Sequence, residues 1–183
     1  MFSKKLIIID RDGCLNQPSS TISIPYVFET EKFIVYEDVI EFFKMAKLYD
    51  CNFAIATNQR GISLGYYSQE DVDSLHARLL SLIEVSPGKF PIFTCPHDPK
   101  IHSCTCRKPQ PGLLVQALEF HGNSVSESVF IGDSKTDYEA SRAIGMDFVW
   151  LNRKGLGVSH ADYVYTPFML GTLDFELMNG WFN

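Results

Sequence analysis

Asp10 and Asp12 stand one residue apart, directly after the apolar run Leu6–Ile9 and directly before Gly13. Two carboxylates so close repel each other unless a cation joins them. Mg2+ suits such a pair, because it takes few protein carboxylates and keeps water and substrate phosphate. A carboxylate can also act as a covalent nucleophile, including toward phosphorus. A second acid can protonate the leaving oxygen and later activate water. Phosphoryl transfer needs hydrogen-bond donors and positive charge around the transferred oxygens. Thr57 offers a hydroxyl and Lys108 a cation. Asp133 offers a third acid at the end of another apolar run, and Asp137, four residues on, can brace that loop.

A second group lies in CPHDPKIHSCTCRKP: Cys95, His97, Cys104 and Cys106, spaced as C-x-H, six residues, then C-x-C. Three thiolates and one imidazole form a closed tetrahedral zinc set, which leaves no open position and so predicts a structural metal. His102 is a spare ligand candidate. The spacing is tighter than that of a common zinc finger. Incidental buried cysteines are the plain alternative, but four ligand-type residues within twelve, with prolines between them, rarely pack a core. Cys106 runs straight into Arg107 and Lys108, so a clamped loop would fix where those two cations point.

Taken singly, these signals are weak. A D-x-D is commonly a solvated loop, G-D-x3-D a helix start with acids near its N-terminus, and Lys108 a surface lysine. Their positions along the fold carry more. Leu6–Ile9, 53–56, 91–94, 129–131, 148–151 and 163–165 read as strands, with a further short one expected at 33–35. Helices are expected over 38–49, 69–83 with Ser68 as N-cap, 111–121, 135–144 and weakly 167–178. Strands alternating with helices predict a parallel sheet covered on both faces. In such sheets ligands bind beyond the carboxyl ends of the strands. Asp10, Thr57 and Asp133 all follow or end strands, so they are expected to meet at one edge. In extended chain Asp10 and Asp12 point one way and Arg11 the other.

In this order the motifs resemble the haloacid dehalogenase superfamily of phosphatases. IIIDRDGCLN is similar to its first motif, AIATNQ to its second, Arg107-Lys108-Pro109 to its third and FIGDSKTD to its fourth, together spanning roughly residues 5–150. The resemblance implies a Rossmann-like fold with Asp10 as nucleophile and Asp12 as general acid/base. It implies that Thr57 and Lys108 hold the phosphoryl group. It also implies Mg2+ on Asp10, the Asp12 carbonyl and Asp133.

The Cys/His insert, TNQRGISLGYYS and PYVFETEKFIVYEDVI resemble the zinc-loop branch that contains heptose 1,7-bisphosphate and histidinol phosphatases. That implies a minimal cap, with Asn58, Gln59, Arg60 and Arg107 lining the substrate site and Ser134 beside them. The expected reaction is loss of the C7 phosphate from the heptose bisphosphate. Histidinol phosphate or another small phospho-metabolite is the alternative. The chain departs from the branch at Leu64, where an arginine is common, at Ser134, where a lysine is common, at Cys14, where a threonine is common, and in a longer 17–25 segment.

Bulk properties agree. At 183 residues and 45% hydrophobic content, one globular domain, 1–183 with the zinc loop at 95–106, is expected. A net charge of −6 lacks the basic footprint of a nucleic-acid binder. No apolar run approaches the ~20 residues of a membrane span. Five cysteines and no secretory signal argue against a disulfide framework. The expectation is a cytoplasmic monomer that meets a small phosphorylated sugar or metabolite, with no nucleic acid and no membrane.

Overall fold

The computed structural model describes residues 5–19, 25–46, 51–153 and 163–165. Among the described residues six strands build one sheet: β1 (Leu6–Ile9), β2 (Asn52–Asn58), β3 (Ile92–Cys95), β4 (Ser128–Gly132), β5 (Asp147–Leu151) and β6 (Tyr163–Tyr165). Their order is β3-β2-β1-β4-β5-β6, and every pairing is parallel. The sequence therefore winds outward from β1 in one direction, then from β4 in the other. The crevice between β1 and β4 is the switch point where such sheets bind ligands.

Register brings the strand ends level. Ile9 pairs with Ile55 on one side and Ile131 on the other. Asp10 extends the ladder by one bond, its N–H donating to the Ile131 carbonyl at 2.9 Å. Leu6, Ile7, Ile8 and Ile9 are at most 2% exposed. Each such burial contributes about 2 kcal/mol, and together they hold the strand that delivers Asp10. Ile7 and Ile9 face a layer that includes Val39, Phe42 and Phe43 of α1 (Glu37–Ala46) and Leu75 and Leu79 of α2 (Gln69–Leu82). Leu6 and Ile8 face Leu113, Leu114 and Ala117 of α3 (Gly112–His121) and Ala140 of α4 (Lys135–Arg142).

Ser68 caps α2 in a reciprocal capping box with Asp71, as Ser134 caps α4 with Asp137. Residues 33–35 are not a strand. Thr30–Lys32 form a 3-10 turn, and Val35 makes only a single antiparallel bridge, to Asn16. The loop returning from β1 offers 33–35 one partner residue, too little for a ladder. The expected 167–178 helix and parts of 17–25 and 38–49 lie outside the described residues. Among the described residues no helix is long and apolar enough to cross a membrane.

Candidate active site

Asp10 leaves β1 at the switch point and is 8% exposed. Lys108 reaches it from 98 residues away, Nζ to Asp10 Oδ1 at 2.7 Å. The same Nζ donates to the Ala56 carbonyl at 2.8 Å, pairs with Asp137 Oδ1 at 2.6 Å and lies 5.3 Å from the centre of the Phe130 ring. Burial works against the Lys108 charge, but Asp10 and Asp137 outweigh it and hold the group above the usual lysine range. Asp137 is thus more than a brace for its own loop: it shares the lysine with Asp10.

Burial pushes the Asp10 carboxyl up to about 8; Lys108 opposes this and Asp137 adds to it. A second cation beside Asp10 would return it to the ionised form. The surroundings suit one. Gly13 has φ +88°, and a Cβ there would collide with the Asp133 carboxylate. The bare backbone thus gives that carboxylate room against the first loop. Donor atoms of Asp10, Asp133 and Cys14 all lie within 4.8 Å of one another.

Asp12 is held differently. Its carboxylate accepts from Arg11 at 2.9 Å, Asn16 Nδ2 at 2.9 Å and Gln59 Nε2 at 2.8 Å. Burial opposes ionisation, yet Arg11 and these amides outweigh it and keep the carboxyl below its usual range. Arg11 is therefore no bystander on the far side of the strand. It is 1% exposed, and its second guanidinium nitrogen lies 3.2 Å from His76 Nε2 on α2.

His76 must be neutral to accept from Arg11. Burial, with Arg11 adding, pushes it down to about 3. The unfolded chain then takes up a proton near pH 6.5 that the folded chain refuses. His76 therefore adds stability in full above about pH 6.5, and the contribution is lost as pH falls toward 3, at up to about 1.4 kcal/mol per pH unit. His76→Gln should flatten this slope. Urea unfolding at two pH values checks it: between about pH 7 and 5 the variant's stability should change by about 2 kcal/mol less than the wild type's.

Residues 57–60, expected as substrate contacts, mostly turn inward. Thr57 is 1% exposed, and its Oγ1 accepts from Gln59 Nε2 at 2.8 Å, which leaves the hydroxyl proton to donate elsewhere. Gln59 is 2% exposed, and its Oε1 accepts from Tyr67 Oη at 2.8 Å. It joins Tyr67, Thr57 and Asp12 in one network. Asn58 brackets the Lys108 main chain, donating to its carbonyl and accepting from its N–H, both at 3.1 Å. Arg60 pairs with Asp98. Ser134 spends its hydroxyl on Asp137, at 2.5 Å.

The Cys/His segment forms one cluster. Cys95 Sγ lies 3.8 Å from Cys104 Sγ and 3.2 Å from Cys106 Sγ; His97 Nδ1 lies 3.5 Å from Cys95 and 3.3 Å from Cys106. The edges of a zinc–thiolate tetrahedron with ~2.3 Å bonds are about 3.8 Å, so the four donors fit that ion. Without a cation, burial and the neighbouring thiols push Cys106 up to about 12. His102 contributes no donor to this cluster; its ring lies 5.3 Å from that of His97. A cavity of about 740 Å³ opens beside the loop, lined by Lys100, His102, Arg107, Lys108, Gln110 and Thr136 among others.

Residues 105–164 match a family model described as HAD-hydrolase-like. The chain is 37% identical over 175 residues to the D-glycero-beta-D-manno-heptose-1,7-bisphosphate 7-phosphatase of Pseudomonas aeruginosa, covering 95% of this chain and 93% of that one. It is 34% identical over 139 residues to the enzyme of the same name from Helicobacter pylori, covering 75% and 77%. The crystal structure of D,D-heptose 1,7-bisphosphate phosphatase from B. bronchiseptica, complexed with magnesium and phosphate, superposes with TM-score 0.80 at 26% identity, covering 96% and 99%. On that extent of identity, running through both chains almost end to end, this protein belongs to the HAD-like hydrolase family that holds the heptose-1,7-bisphosphate 7-phosphatases.

Proposed function

We propose that this protein is a phosphatase, one catalytic unit acting in the cytoplasm as a monomer, that removes the C7 phosphate of D-glycero-D-manno-heptose 1,7-bisphosphate. One observation carries the reading. A chain 37% identical to a heptose bisphosphate 7-phosphatase gathers Asp10, Thr57, Lys108 and Asp133 at the sheet's switch point.

The chemistry follows from the residues. Lys108 occupies Asp10 Oδ1, so Oδ2 attacks phosphorus and the ester oxygen leaves. An anionic phosphoryl group next to Asp12 pushes that carboxyl upward. Asp12 then enters protonated and hands its proton to the leaving oxygen. It next takes a proton from water, which attacks the aspartyl phosphate and frees inorganic phosphate and Asp10. Thr57 donates to the transferred oxygens, and Lys108, its N–H groups held by Asp10, Ala56 and Asp137, stabilises their charge from beside them. Asp10, the Asp12 carbonyl and Asp133 would hold Mg2+, which supplies positive charge to the phosphoryl oxygens. Asn58 and Gln59 act as positioning residues, the first on Lys108 and the second on Asp12 and Thr57. Zinc on Cys95, His97, Cys104 and Cys106 would keep the loop closed.

The test is phosphate release, with Mg2+, from both anomers of the heptose bisphosphate and from histidinol phosphate. The expected kcat/KM for one heptose anomer exceeds that for histidinol phosphate by about a hundredfold, or about 2.7 kcal/mol. Equal rates on all three would remove the heptose assignment and leave the phosphatase chemistry.

A further inference from the structure

Asp98 follows a zinc-ligand candidate but points away from the cluster. Its carboxylate takes Arg60 in two contacts, Nε to Oδ1 at 2.9 Å and a terminal guanidinium nitrogen to Oδ2 at 3.2 Å. The Asp98 side chain is 5% exposed and that of Arg60 29%. The rest of Asp98 is also engaged. Oδ1 accepts the Lys100 N–H at 3.0 Å, and the carbonyl accepts the N–H groups of Ile101 and His102 at 3.2 and 2.8 Å. Its own N–H donates to His102 Nδ1 at 3.3 Å. One residue therefore shapes the turn 98–102 and ties it to the loop after β2. Two further bonds run along the same seam, Gln59 N–H to the Cys95 carbonyl at 2.7 Å and Ser63 Oγ to the Pro96 carbonyl at 2.7 Å. The turn forms one wall of the 740 Å³ cavity, which Lys108 also lines.

We infer that the Arg60–Asp98 pair is a latch that sets the substrate-facing wall of the metal loop, so that Arg60 governs affinity through Asp98 rather than by touching substrate. A planar guanidinium held at two points on a shielded carboxylate is a directional tie, and breaking it frees a wall rather than a reacting group. The inference rests on the sugar bisphosphate reading for its choice of substrate.

The experiment is a double-mutant cycle with Asp98→Asn, Arg60→Met and both together. Asp98→Asn should raise KM for the heptose bisphosphate about tenfold and leave kcat on p-nitrophenyl phosphate within about twofold. Hydrogen exchange at residues 99–103 should quicken. Adding Arg60→Met to Asp98→Asn should cost nothing more, because the partner is already lost. Additive losses would make Arg60 a direct substrate contact and overturn the latch, as would an unchanged KM with unchanged exchange. If Asp98→Asn fails to fold, Arg60→Met spares the Asp98 backbone bonds and is read by the same two measurements. A wild type that ignores the heptose bisphosphate sinks the substrate reading alone, since the exchange measurement still decides the latch.

Discussion

Asp10→Asn abolishes turnover while the protein stays folded. The expected fall in kcat is at least about 10^4-fold, the scale seen when a covalent nucleophile is removed from a site whose parts act as one unit. An amide nitrogen or oxygen does not replace Oδ2 as the attacking atom. The fold should not suffer, for a specific reason. Asp10 is 8% exposed, and burial disfavours its charge so strongly that its carboxyl rises to about 8. A carboxyl held that high is already largely neutral near pH 7, so a neutral isostere changes little of the charge beside Asp137. Lys108 keeps Asp137 and the Ala56 carbonyl, and the melting temperature should stay within a few degrees of the wild type's. Phosphate release and a thermal melt on the same preparation check both halves. A variant that keeps a substantial fraction of kcat ends the covalent mechanism; one that is inactive because it is unfolded leaves nothing assigned to Asp10.

Cys104→Ser gives the second large effect, on stability and KM together. Elemental analysis of the wild type should find about one zinc per chain, and the variant should lose it. A structural zinc site contributes folding energy outright. If a few kcal/mol of it is lost, the melting temperature falls by about 10 °C for a chain of this size. The damage spreads for a structural reason. The Gly112 N–H donates to the Thr105 carbonyl at 3.0 Å, and a Cβ on Gly112 would collide with that carbonyl. The loop is thereby seated on the first turn of α3. Arg107, which donates to the His97 carbonyl at 3.3 Å, and Lys108 follow directly from Cys106. A loosened loop moves both cations, so KM should rise with the loss of metal. Incubating the wild type with a chelator should reproduce both changes, and added zinc should reverse them. A melt and KM indifferent to zinc would separate the Cys/His cluster from the site.

Much of the outline is legible along the chain: which apolar runs build the sheet, which acids end them and which four side chains cluster as metal donors. These are local properties. A continuous apolar run marks a buried strand, a fixed spacing brings metal donors together, and register then carries Asp10, Thr57 and Asp133 to one edge. What the polar residues around them do depends on packing between distant segments. The family resemblance implies Asn58, Gln59 and Arg60 as substrate contacts, and in the structure each also bonds to a residue far along the chain, 50, 47 and 38 residues away. Arg11 reads as an outward neighbour of two acids, yet it is buried between Asp12 and His76. Asp137 reads as a loop brace, yet it shares Lys108 with Asp10. Asp98 carried one signal, an acid beside His97 in a loop facing an arginine after β2, but nothing in spacing joins the two. Long polar side chains in a buried site take whichever partner satisfies them. That choice depends on which elements pack side by side, and periodicity along the chain does not contain it.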